Sequence, residues 1–292
     1  MKKILVSLSA LCALLIVFTV FACEKAISSN ENAGDAKGNL TVSVFEIEKT
    51  PFASLTRASE AASAVVTRLN FAVYDMSDTR LKQINQQSGM ADFGRASFQL
   101  PEGTYQLVVV GHSASGNPTM TNPAKIQFTN SQGFTDTFLY YGDVTIGEDG
   151  LDLQVSLDRI VSMCRFVVTD DFPANVKMMR FYYTGGSGAF DATTGLGCVN
   201  SKQTVTFDVT TDQKQFDLYT FLHDTDGTIH LTVTAHDAGD NVLYERTFDV
   251  PMEQNHITWF SGAFFGGSGS SSTTITGVTI NTAWAGETHL TF

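Results

Sequence analysis

The sequence predicts an all-β protein, two tandem β-sandwiches behind an exported N-terminus. Three observations carry this. Charged residues are scarce, at 16%, while Phe (22) and Gly (24) are plentiful, a composition suited to pleated, half-buried surfaces joined by tight turns. Apolar and polar residues alternate through most of the chain beyond residue 38, in runs recurring every 8–14 residues or so with almost no helical periodicity between them. The first residues, finally, have the charge and apolar run of an export signal.

That signal comes first in the chain. "MKK" is a positive start, "ILVSLSALCALLIVFTVF" an apolar run, and "FAC" closes it at Cys23. A small residue followed at once by Cys is the pattern of a bacterial lipoprotein signal, in which residues 1–22 are removed after Ala22 and Cys23 is acylated. An ordinary signal peptide or signal anchor is the plainer alternative. Several acyl chains, each buried methylene contributing about 0.8 kcal/mol, hold such a chain firmly to a membrane. No later apolar stretch approaches the length that spans a bilayer. Residues 23–38 are polar and aperiodic and read as a flexible tether.

Strands follow. "NLTVSVFEIE" puts Leu40, Val42 and Val44 on one face, and "VTRLNFAVYD" does the same with Leu69, Phe71 and Val73. Between them "SEAASAVVTRL" is the one helical candidate. "ASFQLPEGTYQLVVVGH" is two strands about a Pro-Glu-Gly turn, carrying Phe98, Leu100, Tyr105, Leu107 and Val109. "KIQFTN", "TFLYYGDVTI" and "LDLQVSLD" continue the pattern, the last two joined by "GEDG". A boundary near Asp158 divides a first sandwich, 39–158, from a second, 159–292. The second runs through "CRFVVTDD", "KMMRFYYTGG", "QTVTFDVT", "FDLYTFLHD", "IHLTVTAHD", "VLYERTFDVP" and "HITWFSGAFF", with "DTDG" and "DAGDN" as turns. The Gly-rich "GGSGAFDATTGLG" reads as a flexible surface loop. "GGSGSSS" then precedes terminal strands within 273–292, which either fold home or reach a neighbour.

Function classes narrow by exclusion. A net charge of −12 and a pI near 4.8 argue against nucleic acid, which demands clustered Lys and Arg. "GHSASG" approaches a nucleophile elbow at Ser113, but Ser115 stands where the elbow needs a closing glycine, and "GNPTMTNP" cannot start the required helix. The six His make no H-x-H or HExxH pair. His230 and His236 have the spacing to share a strand face, but two ligands do not make a metal site. No catalytic residue, metal, cofactor or small-molecule substrate is expected. Cys164 and Cys198 are left after export. They either form a disulfide closing a loop of about 35 residues, worth roughly 3–4 kcal/mol, or Cys164 is a small buried hydrophobe. Trp259 and Trp284 are the candidates for a glycan platform, Trp259 reading more readily as core.

"VTRLNFAVYD", "ADFGRASFQLPEGTYQLVVVGHSASGNPTMTNPAKIQF", "TFLYYGDVTI" and "PANVKMMRFYYTGGSGAFDATTGLGCVNSKQTVTFDV" together resemble the FimB-type anchor and fimbrillin-like lipoproteins of the type V pili of Bacteroidia. The resemblance implies transthyretin-like Greek-key sandwiches, lipid attachment to the outer membrane, and assembly with other fimbrial subunits by strand addition. In polymerising members a protease cuts after an Arg and removes the first strand. Here that site is Arg57, before Ala58 in "SLTRASE", with Arg68 a second Arg inside a strand. Two roles are implied. An anchor keeps Cys23 and its first strand, and is the favoured role. A shaft or tip subunit loses everything through Arg57 and polymerises through Thr273–Phe292.

Overall fold

A computed structural model describes residues 39–47, 62–129, 134–210, 213–266, 274–275 and 284–292. The first half contains β1 (Leu40–Ile47), a one-turn helix α1 (Ala62–Val65), β2 (Arg68–Tyr74), β3 (Arg80–Gln87), β4 (Arg95–Phe98), β5 (Gly103–His112), β6 (Thr119–Asn122), β7 (Lys125–Gln127), β8 (Thr137–Ile146) and β9 (Leu151–Arg159). The second contains β10 (Ser162–Val168), β11 (Met178–Gly186), β12 (Ala189–Asp191), β13 (Leu196–Gly197), β14 (Ser201–Asp208), β15 (Gln215–Thr220), β16 (Asp226–His236), β17 (Val242–Glu253), β18 (His256–Gly262), β19 (Thr274–Ile275) and β20 (Gly286–Thr291).

Alternation sets which side of each strand is buried. On β9, Val155 and Leu157 enter the core while Asp152, Gln154 and Ser156 are exposed. The strands of the first half run β3-β2-β5-β8-β9-β1-β4. β8 and β9 pair only at Phe138↔Arg159 and Leu139↔Asp158. Elsewhere they splay, so β3-β2-β5-β8 packs on β9-β1-β4 around Leu40, Val42, Phe71, Leu107, Phe138 and Leu157. The Pro-Glu-Gly turn leads from β4, which pairs β1, to β5, which pairs β2 and β8. It carries the chain between layers and closes no hairpin.

The same arrangement occurs again. β14-β11-β16-β17 packs on β15-β10-β18-β20-β19 around Phe166, Phe181, Phe216, Leu231 and Phe260. In each half the opening strand lies parallel to a late one, β1 beside β9 and β10 beside β18. An antiparallel strand covers its other edge, β4 and β15 respectively. Among the described residues β20 has no counterpart in the first half.

A third apolar cluster joins the halves, contributed by Ala72, Tyr74, Val108 and Val110 from one side and by Met163, Phe190, Phe221 and Ile257 from the other. It explains why β2 is buried on both faces, Ala72 and Tyr74 included. "GGSGAFDATTGLG" differs from its reading as a surface loop. It bends at Gly185 (φ 93°) and Gly195 (φ 71°), and between them β12 pairs β7 at Ala189↔Gln127 and Phe190↔Ile126. The bends free Ala189 and Phe190, both fully buried, to wedge into the junction.

Candidate functional site: the two terminal strands

The first strand is held from both edges. β1 runs parallel to β9 from Leu40↔Leu151 to Ile47↔Leu157 and antiparallel to β4 from Leu40↔Phe98 to Ser43↔Arg95. Leu40, Val42 and Ile47 are buried to within 1%, each contributing about 1.5–3 kcal/mol of apolar burial. Asn39 fastens the entry. Its side chain accepts the Leu100 N–H at 2.9 Å and donates to the Leu100 carbonyl, while its own carbonyl accepts the Leu151 N–H at 2.7 Å. Gly150 lets the turn pass close, since with φ 75° any Cβ there would lie 2.6 Å from the Asn39 carbonyl oxygen.

The last strand is also at home. β20 pairs in parallel with β18 from His256↔Gly286 to Ser261↔Thr291, and β19 meets its far edge at Thr274↔Thr291 and Ile275↔Leu290. Leu290 is fully buried. The Phe292 ring stacks on Phe166 and Phe260, each at 4.9 Å, and lies 4.7 Å from Phe248. Just beyond β18 Asp170 accepts the N–H groups of Phe264, Phe265 and Gly266 at 2.7–2.8 Å. Burial pushes that carboxyl up, but the three N–H bonds outweigh it and hold the pKa below the usual carboxylate range.

Trp284, at the start of the terminal segment, is buried in the junction. The Arg159 guanidinium lies 4.1 Å from its ring centroid and 4.8 Å from that of Phe138. Asp136 grips the same guanidinium through two bonds of 2.6 and 2.8 Å. One buried cation thus ties the C-terminal segment to the first half.

A family model of the fimbrillin-A associated anchor proteins Mfa1 and Mfa2 matches residues 38–288. The chain belongs to that anchor family. No curated protein matches it. Among solved structures it is similar to a candidate adhesin from Bacteroides ovatus, with 14% identity over 72% of this chain and 81% of that one at a TM-score of 0.47. It is similar also to the fimbrial anchor protein Mfa2 from Porphyromonas gingivalis, with 15% identity, coverage of 71% and 80%, and a TM-score of 0.39. A fimbrial assembly protein from Parabacteroides distasonis shares 12% identity over 77% and 90%, with a TM-score of 0.38. Family membership rests on the 38–288 match, and it makes the chain a structural component of fimbriae at the cell surface.

In this anchor-family chain Cys23, Arg57 and Ala58 lie outside the described residues. Arg68 sits in β2, its guanidinium donating to Asn117 and to the Ser115 carbonyl. Cys164 and Cys198 are free thiols, the first buried and the second exposed. Cys164 lies fully buried in the core of the second half, and Cys198 sits at the surface. Burial pushes the Cys164 thiol far up.

Neither Trp offers an open ring face to a sugar. Trp259 is half-buried, packs against the junction cluster on the same side of β18 as Ile257, and stands there in a cross-strand stack. Arg165, itself paired with Asp217, covers one side at 4.8 Å, and His289 covers the other at 5.3 Å with ring planes 10° apart. Trp284 is 6% exposed and capped by Arg159.

The G-H-S at the end of β5 serves the fold. His112 is fully buried. Its Nε2 bonds Asn70 Oδ1 at 2.8 Å and its Nδ1 accepts the Ala114 N–H at 3.1 Å, which leaves no ring nitrogen for Ser113. Burial, with help from the Arg68 charge, lowers its pKa to about 4. His230 and His236 lie on the same side of β16, which runs unbroken beside β11, but six residues apart and engaged separately, His230 with Asp249 at 2.6 Å and His236 with Thr234 at 2.7 Å and Asp240 at 2.9 Å. Among the described residues no three His, Cys, Asp or Glu are grouped to hold a metal.

Asn39, Asp136, Arg159 and Asp170 escaped the sequence reading. Asn39 alone left a trace, as an Asn directly before an alternating run.

Proposed function

We propose that the chain is the anchor and terminating subunit of a fimbrium, fixed to the outer membrane by acylated Cys23 after loss of residues 1–22, with 39–158 and 159–292 as its two sandwiches. It joins the fibre by accepting a strand and donates none. The observation that carries this reading is that both strands a polymerising subunit gives up are engaged at home: β1 between β9 and β4, and β20 on β18 with Leu290 buried. Taking either away exposes apolar core and unpaired backbone.

Cys23→Ala tests the reading. Cells carrying it should still export the protein but release intact fibres into the medium. Fibres held on the cell as firmly as in the parent would overturn the anchor role. The second reading, cleavage after Arg57 with polymerisation through Thr273–Phe292, keeps the "LTRA" motif as its support. It calls for chains beginning at Ala58 within the fibre.

A further inference from the structure

An anchor that keeps its first strand needs some other edge by which to hold the next subunit, and the repeated architecture supplies one. In the second half β18 has β10 on one side and β20 on the other. Its counterpart β9 has β1 on one side, and on the other pairs β8 only at Asp158 and Arg159. Among the described residues, nothing pairs with the second edge of β9 from Leu151 to Leu157.

The direction of the backbone groups follows from their alternation. The Leu151 N–H donates to Asn39 on the β1 side, whereas the Ile160 N–H donates to Thr137 on the β8 side. Even-numbered residues therefore face away from β1, so the N–H and C=O groups of Asp152, Gln154 and Ser156 line the open edge. Beneath it the seam between β8 and β9 is floored by Tyr140, Leu151 and Leu153, all only partly buried. The corresponding seam of the second half is filled by Leu290 and Phe292. Asp143 near the end of β8 and Glu148 and Asp149 in the turn to β9 are exposed at this end of the edge, and exposed Asp152 is paired with Arg95 at 3.9 Å.

We propose that the β9 edge is the acceptor site for an extended terminal strand of another fimbrial subunit. That strand runs parallel to β9 as β20 runs to β18, with apolar residues at alternate positions facing the seam and basic residues toward the acidic end of the edge. We assign it to another chain, since among the described residues this chain's two terminal strands, β1 and β20, are both held at home. The proposal rests on the anchor reading for its biological setting, but the edge itself is tested separately.

Two measurements on full-length protein in its native cells decide it. A benzoylphenylalanine photo-crosslinker at Gln154 should join, with a yield roughly tenfold above the same group at exposed Thr206 on β14, to a segment of another fimbrial subunit with alternating apolar residues. Adducts favouring Thr206, or adducts to this chain itself, overturn the site. Gln154→Pro removes one outward N–H and no existing bond, since a proline is tolerated where the N–H faces solvent. It should shift the melting temperature by no more than about 3 °C yet shed fibres as fully as loss of the whole protein. If Gln154→Pro cells keep their fibres while cells lacking the protein shed them, the edge proposal fails and the anchor reading stands. If cells lacking the protein also keep their fibres, the anchor reading fails, and the cross-link pattern alone then decides the edge.

Discussion

Replacing Asp136 by Asn probes the junction that seats the C-terminal segment. The Arg159 side chain is 2% exposed and that of Asp136 28%, with two hydrogen bonds between them and the rings of Phe138 and Trp284 on the guanidinium. Removing one partner of a buried pair costs about 3–5 kcal/mol, because the other charge is stranded out of water. Asp136 is partly open to solvent, which places the expected loss near the low end, at about 3 kcal/mol. For a unit of this size each kcal/mol lowers the melting temperature by roughly 2–4 °C, so a drop of about 6–12 °C is expected. Urea unfolding followed by tryptophan fluorescence reads the same loss, with Trp284 reporting on its own seat. The double variant Asp136→Asn, Arg159→Met leaves an apolar chain over both rings and should recover more than half of it. A loss below about 1 kcal/mol for Asp136→Asn, the behaviour of a surface pair, would refute the claim that this cation locks the junction.

Three further outcomes are expected. His112 binds its proton in the unfolded chain near pH 6.5 but in the fold only near pH 4. Stability is therefore complete above pH 6.5, declines as pH falls toward 4, and has lost about 3 kcal/mol below that; denaturation of His112→Gln across this range should lack that slope, and equal slopes would exclude the effect. Gly150→Ala forces a Cβ against Asn39 at φ 75° and should cost about 2–3 kcal/mol, whereas Gly116→Ala, with nothing within 4 Å, should stay within about 0.5 kcal/mol. Maleimide labelling mapped by peptide mass should find Cys198 modified in the folded protein and Cys164 only in urea; native labelling of Cys164 would contradict its burial.

The strands were legible wherever one face is buried and the other wet, as in β9, β16 and β17, because alternation is then written into the residues. It failed where burial is two-sided or comes from afar. Ala72 and Tyr74 look like the solvent side of β2, and only the junction hides them. Phe190 lies among glycines that suggest a loop, since its partner strand β7 is remote in sequence. Trp259 looks like core from its apolar neighbours, and it does pack against the junction cluster, but half-buried and on the side of β18 opposite Phe260. The candidate site was legible as two terminal strands. The polar fastenings, Asn39 on Leu100 and Asp136 on Arg159, join residues far apart in the chain and carry no local motif. The open edge of β9 shows only when the two halves are set side by side.

Whether this chain keeps its first strand decides between terminating a fibre and extending one. The direct measurement is the N-terminal residue and intact mass of the protein taken separately from outer membranes and from sheared fibres. A chain starting at acylated Cys23, recovered with the membranes and carrying β1, is the expected result. A chain starting at Ala58, recovered from the fibres, would contradict it.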